Sequence, residues 1–183
     1  VEMTRTLKNH NFLMLAVFSC FAALSSACKI QLDMYFNLFF WEFDQLQLSG
    51  LITAALFGSA AAAGIAPVVG RHLSKKTACL VAYISAFLLG IAPIVLRLAG
   101  WMPENGSPLL YGIIVAETFL YAACAAQVAM FLGSIMADVS DDAEVKTGRR
   151  SEGLLFAADG FFKKLTSSGG PIVAGVLLGL VAF

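Results

Sequence analysis

Long uncharged apolar runs constrain this chain more than any other feature of its sequence. Four of them contain no Asp, Glu, Lys or Arg, and they cover residues 45–70, 77–96, 118–137 and 165–183. About 20 helical residues cross a bilayer core that is about 30 Å thick, so each run is long enough to span it. The runs are continuous and do not alternate with polar residues, which argues against a β-barrel. The sequence therefore predicts an all-α integral membrane protein.

A fifth apolar stretch near the N-terminus completes the predicted set of helices. Its first part, residues 11–28, is uncharged, and it then contains Lys29 and Asp33. We predict five transmembrane helices, at 11–43, 48–70, 77–99, 109–137 and 153–183, with polar loops at 71–76 and 138–152. The last helix contains Gly169, Gly170 and Pro171, a combination that favours a bend.

The composition excludes several classes of function. Hydrophobic residues make up 59% of the chain and charged residues 13%, and 12 basic residues balance 12 acidic ones. With no basic excess to neutralise phosphates, nucleic-acid binding is not expected. The four cysteines lie inside apolar runs and only two histidines are present, so the close pairs of ligands that metal centres use are missing from the sequence.

Two short matches to enzyme motifs carry no weight. Ser26 and Lys29 match the S-x-x-K motif of penicillin-binding enzymes, and Lys146 begins a K-T-G sequence. In those enzymes K-T-G lies on a strand of a soluble domain, whereas here the first match lies in an apolar helix and the second in a predicted loop. We therefore predict that the protein is not an enzyme.

The basic residues outside the spans predict the orientation. With the N-terminus in the cytoplasm, cytoplasmic segments hold eight basic residues and outer segments hold only Arg97. Such a bias sets the orientation of membrane proteins. The eight are Arg5, Lys8, Arg71, Lys75, Lys76, Lys146, Arg149 and Arg150.

Six ionisable residues fall inside the predicted spans. A charged side chain at the bilayer centre costs about 2.5–3.5 kcal/mol on insertion scales, so such residues are expected to face a bundle interior or a water-filled cavity. They mark a candidate polar site within the membrane. They are Lys29, Asp33, Glu117, Asp159, Lys163 and Lys164.

One polar stripe follows the first predicted helix. At about 100° per residue its members lie within about 80° of one another, and they are Ser19, Ser26, Lys29, Asp33 and Asn37. Lys29 and Asp33 are four residues apart and can pair. Two interpretations stay open: the stripe is a cavity wall that contacts a polar solute, or its ion pair docks two helices.

The last predicted helix carries a second pair with the same spacing. Asp159 precedes Lys163 by four residues, which is the more favourable order, and a purely structural pair is again an alternative. Lys164 points about 100° away from Lys163 and lies near mid-bilayer. A lysine there suggests a site that exchanges a cation or proton, or that binds a solute hydroxyl or carboxylate. Glu117 shares a face with Tyr121 on the fourth helix and is a further candidate.

The segment that follows the fourth predicted helix resembles a known family signature. Asp138 and Asp141 follow Ala137 in an A-D-x-x-D pattern, and a T-G-R-R-S-E-G sequence containing Arg149 and Glu152 comes next. This pattern is similar to that of the glycoside–pentoside–hexuronide cation symporters, the melibiose permease group of the major facilitator superfamily. Residues 34–37, 67–71 and 102–108 agree with the same family, so the resemblance covers helices seven to eleven.

The resemblance implies a fold, a function and a set of site residues. The chain is expected to be an incomplete six-helix half of a major facilitator bundle, with the N-terminal half and the final helix absent. The implied activity is symport of a sugar, glycoside or uronide with Na⁺ or H⁺ by alternating access, with no other cofactor. Lys164 matches the family's helix-eleven lysine, which is associated with the cation and sugar site, whereas Asp159 is not part of the family pattern.

The same resemblance assigns a role to the charged loop at 138–152. The loop is expected to act as a cytoplasmic gate whose salt bridges to the other half favour the outward-open state, through Asp138, Asp141, Arg149, Arg150 and Glu152. The alternative is a solvated turn without a role in gating. The expected partners are a small-molecule solute, the lipid bilayer and the N-terminal half. The expected location is the inner cell membrane.

Two other functions stay open at this point. One is a small five-span membrane subunit or pore without a transport cycle. The other is a permease of the same superfamily that carries a lipid or another organic solute.

Overall fold

A computed structural model describes residues 10–147 and 152–180 of the chain. All of its regular structure is helical within these ranges. Helix α1 spans His10–Tyr35 and continues as a π-helical turn at Phe36–Phe40, α2 spans Gln45–His72, α3 spans Lys75–Leu98, α4 spans Pro108–Thr147, α5 spans Glu152–Ser167, and α6 spans Gly169–Leu180.

Four stretches of helix are long and apolar enough to cross a membrane, and they agree with the first four predicted spans. They are Leu13–Phe40, Gln45–His72, Lys75–Leu98 and Pro108–Asp142. Large apolar side chains such as Phe57 and Phe87 are exposed on these helices. Large exposed apolar surfaces are rare in soluble monomers, whereas a bilayer solvates them.

The fifth predicted span is not one continuous helix. Its residues form α5, with 16 residues, and α6, with 12 residues, which are separated at Ser168. Pro171 has no N–H group to donate to the carbonyl of Ser167, so the helical ladder is interrupted at this point. Neither helix alone has the length of a span, and the count of five transmembrane helices stays a prediction.

The first predicted helix, which was expected to continue to residue 43, ends earlier. After the π-helical turn the chain leaves the helix, and the N–H of Phe43 donates to the carbonyl of Asn37 at 2.9 Å. Asp44 is extended because it caps α2: its carboxylate accepts from the N–H of Gln47, whose side chain accepts from the N–H of Asp44 in return. This capping box fixes the start of α2 and separates it from α1.

The predicted loops are shorter than expected. The first ten residues of the predicted loop at 138–152 continue α4 as far as Thr147, so the prediction of a loop was wrong there. Helix propensities of ordinary residues differ by less than about 0.7 kcal/mol, so charged residues that lower the hydropathy of this segment do not by themselves end the helix. In the loop predicted at 71–76 only two residues lie outside helices, Leu73 and Ser74, and the hydroxyl of Ser74 caps α3 by accepting from the N–H of Thr77.

The chain forms two compact units. The first unit contains the described residues up to Phe36 and those from Ser134 onward. In it α1 packs against α5 and α6. Buried apolar side chains of α1, α4 and α5 form its core, namely Ala16, Met136, Val139 and Leu155.

The second unit consists of residues 37–133. Its helices approach closely where small residues allow it, as expected for helices in a membrane. Gly58 of α2 lies against the backbone of Phe119 in α4, where any side chain would collide with it. The hydroxyl of Tyr111 donates to the carbonyl of Gln47 at 3.1 Å, next to Gly50.

Candidate functional site

The pair Lys29–Asp33 is present on α1. The ammonium Nζ of Lys29 lies 2.6 Å from Oδ2 of Asp33. The Lys29 side chain is 21% exposed, whereas that of Asp33 is 45% exposed. In this pair the carboxylate is therefore the more accessible partner.

The pair Asp159–Lys163 is present on α5 with the opposite distribution of exposure. Nζ of Lys163 lies 2.6 Å from Oδ2 of Asp159, and the exposed fractions of the two side chains are 38% for Lys163 and 7% for Asp159. A buried charge normally needs both an opposite charge and hydrogen bonds to its remaining atoms. Asp159 meets only the first requirement within the described residues, because its second oxygen, Oδ1, is buried and has no hydrogen-bond partner there.

The hydroxyl of Ser19 on α1, like Oδ1 of Asp159, is buried without a hydrogen-bond partner among the described residues. The residue is 1% exposed. Ser26, which the sequence placed on the same stripe, is exposed. The stripe therefore passes through different environments, and its Lys29–Asp33 segment forms an ion pair.

Lys164 follows Lys163 but has a different environment. It is exposed on the surface of this chain, whereas Lys163 next to it is half-buried and paired with Asp159. Adjacent residues on a helix point about 100° apart, which explains the difference. Its role in binding stays a prediction.

Three other predicted site residues belong to the second unit. Asn37 lies in the π-helical turn, so it does not keep the α-helical spacing on which the stripe was based. Glu117 and Tyr121 are half-buried on α4, and the hydroxyl of Thr118 donates to the Glu117 carboxylate at 3.4 Å. The residues predicted to share one cavity are thus divided between the two compact units.

The residues predicted for the cytoplasmic gate are partly described. Asp138 and Asp141 are exposed on the last part of α4, and Glu152 begins α5. Arg149 and Arg150 lie outside the described residues.

A polar network in the second unit was not predicted from the sequence. The guanidinium of Arg97 donates to the carbonyl of Pro103 and, through Nη2, to Oδ1 of Asn105 at 2.9 Å. Nδ2 of Asn105 then donates to the carbonyl of Phe40 at 3.0 Å, and the Arg97 guanidinium lies 6.0 Å from the ring centre of buried Trp41. The sequence offered only a hint, since Arg97 is a single charge among apolar residues near two prolines.

The described residues contain no cluster suited to a tightly held metal ion. No group of three or more His, Cys, Asp or Glu side chains comes together in the ranges 10–147 and 152–180. All four cysteines are free thiols. The thiol of Cys28 lies 3.7 Å from the carbonyl of Gly170, where α1 and α6 are in close contact.

A comparison with known families decides the class of protein. The family model described as MFS/sugar transport protein matches residues 1–183. The chain belongs to the MFS/sugar transport protein family. No curated protein and no solved structure matches its sequence.

Membership of the MFS/sugar transport family gives the apolar helices and buried charges a context. The chain is a multi-pass membrane protein of the major facilitator superfamily, and the family suggests a transporter rather than an enzyme. Ionisable groups within membrane helices of transporters commonly belong to ion and substrate pathways. The melibiose permease subgroup and the roles of the individual site residues stay predictions.

Proposed function

We propose that this chain is part of a cation-coupled symporter for a sugar, glycoside or uronide. The observation that carries the proposal is the presence of two Lys–Asp pairs within the helices of an MFS sugar transport chain, one of them with a buried carboxylate. Charged pairs inside membrane helices are costly unless they have a function or an extensive hydrogen-bond network.

The proposed mechanism is alternating access. Two halves of a transporter rock about a central site, so that the site opens to one side of the membrane at a time. A cation and a solute that together stabilise the conformation on the crossing path shift the population more than either one alone. This linkage couples solute uptake to the cation gradient, with Na⁺ or H⁺ as the coupling ion.

In this proposal three polar residues of the chain face the solute or the cation. Lys164 offers an accessible ammonium that donates hydrogen bonds to solute hydroxyls or carboxylates. Lys29 and Asp33 form a pair in which the half-exposed carboxylate accepts hydrogen bonds from sugar hydroxyls. Glu117, Tyr121 and Asn37, which belong to the second unit, are further candidates for contact with the solute.

The charged segment around Asp138 and Arg149 acts as a gate at the cytoplasmic side in this proposal. Salt bridges from it to the other half favour one of the two access states. The Arg149→Ala variant is expected to change the rate of uptake more than the half-saturating solute concentration. Equal kinetics and equal accessibility labelling in the variant and the parent would remove the gate from the proposal.

The proposed location is the inner cell membrane, with the N-terminal end of this chain in the cytoplasm. The excess of basic residues in the segments assigned to the cytoplasm supports this orientation. Protease protection of a tag placed before Val1 in sealed inside-out vesicles would contradict it.

The test is uptake by the full-length protein in proteoliposomes. Radiolabelled α-galactosides, β-glycosides and uronides are supplied with an inward Na⁺ gradient, with a proton gradient, or with neither. The Lys164→Ala variant is expected to lower the initial rate about tenfold or more, because a hydrogen bond to a charged group contributes about 1.5–3 kcal/mol. Lys76→Ala is the matched control, since Lys76 is exposed in the first turn of α3.

The outcomes separate the proposed function from its alternatives. Concentrative uptake of a panel sugar that needs a cation gradient supports symport. Flux that runs only down the solute gradient and ignores cations indicates a pore or subunit. Transport of a lipid or another organic solute, with no sugar carried, assigns the protein to a different permease. Full activity in Lys164→Ala excludes that residue from the site.

A further inference from the structure

Two buried oxygen atoms in the first unit lack hydrogen-bond partners among the described residues. One is the hydroxyl Oγ of Ser19 on α1, and the other is Oδ1 of Asp159 on α5. The residues are 1% and 5% exposed. An unsatisfied buried polar group costs about 1–3 kcal/mol, so a ligand that pairs with both atoms would stabilise the packed helices.

The contacts of α1 with α5 and α6 give the relative direction of these helices. Near the start of both helices, Ala16 and Leu155 belong to one buried cluster. Near the other end of α1, Ala27 is in close contact with Gly170 at the start of α6. Helices α1 and α5 therefore run in the same direction.

Both residues lie one turn beyond that shared cluster. Ser19 is three residues after Ala16, and Asp159 is four residues after Leu155. Residues three and four apart lie on the same face of a helix. Ser19 thus lies on the face of α1 that carries Ala16, and Asp159 lies on the face of α5 that carries Leu155, one turn further along each helix.

The chemistry of these atoms selects a class of ligand. Carboxylate and hydroxyl oxygens are hard ligands, which suit small hard cations. A single carboxylate, already neutralised in part by Lys163, does not hold a divalent ion tightly. Such a small ligand set suits a weakly held, exchangeable monovalent ion.

We propose that Oγ of Ser19 and Oδ1 of Asp159 form a binding site for a small monovalent cation such as Na⁺, with the ammonium of Lys163 as a tethered competitor. The inference rests on the proposed function, because it locates a coupling-ion site for that symporter. Lys163 reaches the other oxygen of the same carboxylate at 2.6 Å, and its side chain is 38% exposed. It therefore has room to move when a cation takes over the carboxylate.

This arrangement supplies a coupling step. Without the cation, the ammonium of Lys163 neutralises Asp159. When Na⁺ binds at the two free oxygens, two positive charges compete for one carboxylate, and the longer and more exposed partner is displaced. The freed ammonium can then donate hydrogen bonds to a hydroxyl or carboxylate of the solute, so the cation is expected to bind first.

The test measures cation binding without any solute. The full-length protein in detergent is melted in NaCl and in choline chloride at equal ionic strength, and the Na⁺ concentration that gives half of the increase in melting temperature is determined. A ligand that binds only the folded state raises the melting temperature in proportion to its occupancy. LiCl serves as a second small cation, and sugar uptake is measured separately on the same preparation.

Three variants give distinct expected results. Asp159→Asn is expected to abolish the Na⁺ response. Ser19→Ala leaves the ion pair intact, and it is expected to raise the half-saturating Na⁺ concentration about tenfold without lowering the melting temperature in choline. Lys163→Gln removes the competitor and is expected to lower the half-saturating Na⁺ concentration about tenfold.

The matched control is Asp33→Asn, which removes the carboxylate of the other Lys–Asp pair and is expected to keep the Na⁺ response. The proposal is overturned if neither NaCl nor LiCl shifts the parent protein, as expected for a site that holds only water or a proton. It is also overturned if Ser19→Ala and Lys163→Gln keep the parental half-saturation. If Na⁺ raises the melting temperature but no sugar is taken up, the proposed function is rejected and the cation site is kept. If sugar uptake is driven by protons and Na⁺ leaves the melting temperature unchanged, the cation site is rejected and the proposed function is kept.

Discussion

The Arg97–Asn105 network of the second unit and the Asp159–Lys163 pair of the first differ in how completely their hydrogen bonds are formed. In the second unit, Arg97, Asn105 and the carbonyl of Phe40 join through both the oxygen and the nitrogen of the Asn105 side chain. In the first unit, Asp159 uses one oxygen for Lys163, while its other oxygen and the Ser19 hydroxyl have no hydrogen-bond partner within the described residues.

This difference separates a structural role from a binding role. A fully bonded polar network makes one local conformation more favourable than others, because each group would lose a partner if it moved. A network with unsatisfied atoms is destabilising unless a ligand completes it. The Arg97–Asn105 network thus holds a turn, whereas the free oxygens of Ser19 and Asp159 are the atoms that the proposed cation would bind.

The largest expected effect is that of removing Lys163. In Na⁺-free medium the Lys163→Ala variant leaves a buried carboxylate without a positive partner, which costs about 3–5 kcal/mol in the free energy of unfolding. Thermal melting of the detergent-solubilised full-length protein in choline chloride measures the loss. NaCl is expected to restore part of the lost stability.

Lys29→Ala is the matched variant for this experiment, because it breaks a pair with the same spacing and the same distance. The carboxylate that it leaves behind, Asp33, is 45% exposed, so the expected loss is about 1 kcal/mol or less. Equal losses in the two variants would show that the burial of the carboxylate does not distinguish the pairs.

A smaller effect is expected for the network of the second unit. Asn105→Ala removes an acceptor from Arg97 and a donor from the carbonyl of Phe40, and the expected loss is about 1–3 kcal/mol. Addition of NaCl should not restore it, because no ligand takes part. Glu104→Gln, at an exposed position of the same connection, is the control and should stay within about 0.5 kcal/mol of the parent. Rescue of Asn105→Ala by Na⁺ would contradict the distinction between the two units.

The apolar helices and the ion pairs were accessible from the sequence, because both depend on local spacing. Four predicted spans agree with helices of the structure to within a few residues at most ends. The four-residue spacings of Lys29 with Asp33 and of Asp159 with Lys163 place the charges on one helix face, and both pairs have the expected contact.

Features that depend on residues far apart in the chain could not be predicted from local spacing. The π-helical turn at Phe36–Phe40 is bonded through the Phe40 carbonyl to Asn105, which lies 65 residues away in the chain. Ser19 and Ser26 have equivalent positions on a helical projection, yet one is buried and the other exposed. The packing of the other helices of the first unit on α1 decides which of them is covered.

The charged end of α4 shows a second limit of prediction from sequence. A run of charges after an apolar span indicates where a helix leaves the membrane, but not where it ends. The segment from Asp138 to Thr147 is helical although it is too polar to lie in lipid. Hydropathy indicates whether a helical segment lies in lipid or in water, whereas the length of the helix is set by its backbone hydrogen bonds.

The separation of α5 from α6 at Ser168 has a mechanical consequence. A continuous helix behaves as a stiff rod, and a tilt at one end moves the other. Here Gly170 is in close contact with Ala27 and anchors the start of α6 to α1, whereas the backbone ladder is interrupted between this anchor and Lys163. The segment that carries Asp159 and Lys163 is therefore joined to the anchored start of α6 through a break in the ladder, and such a break lets two helices differ in axis direction without distortion of either one.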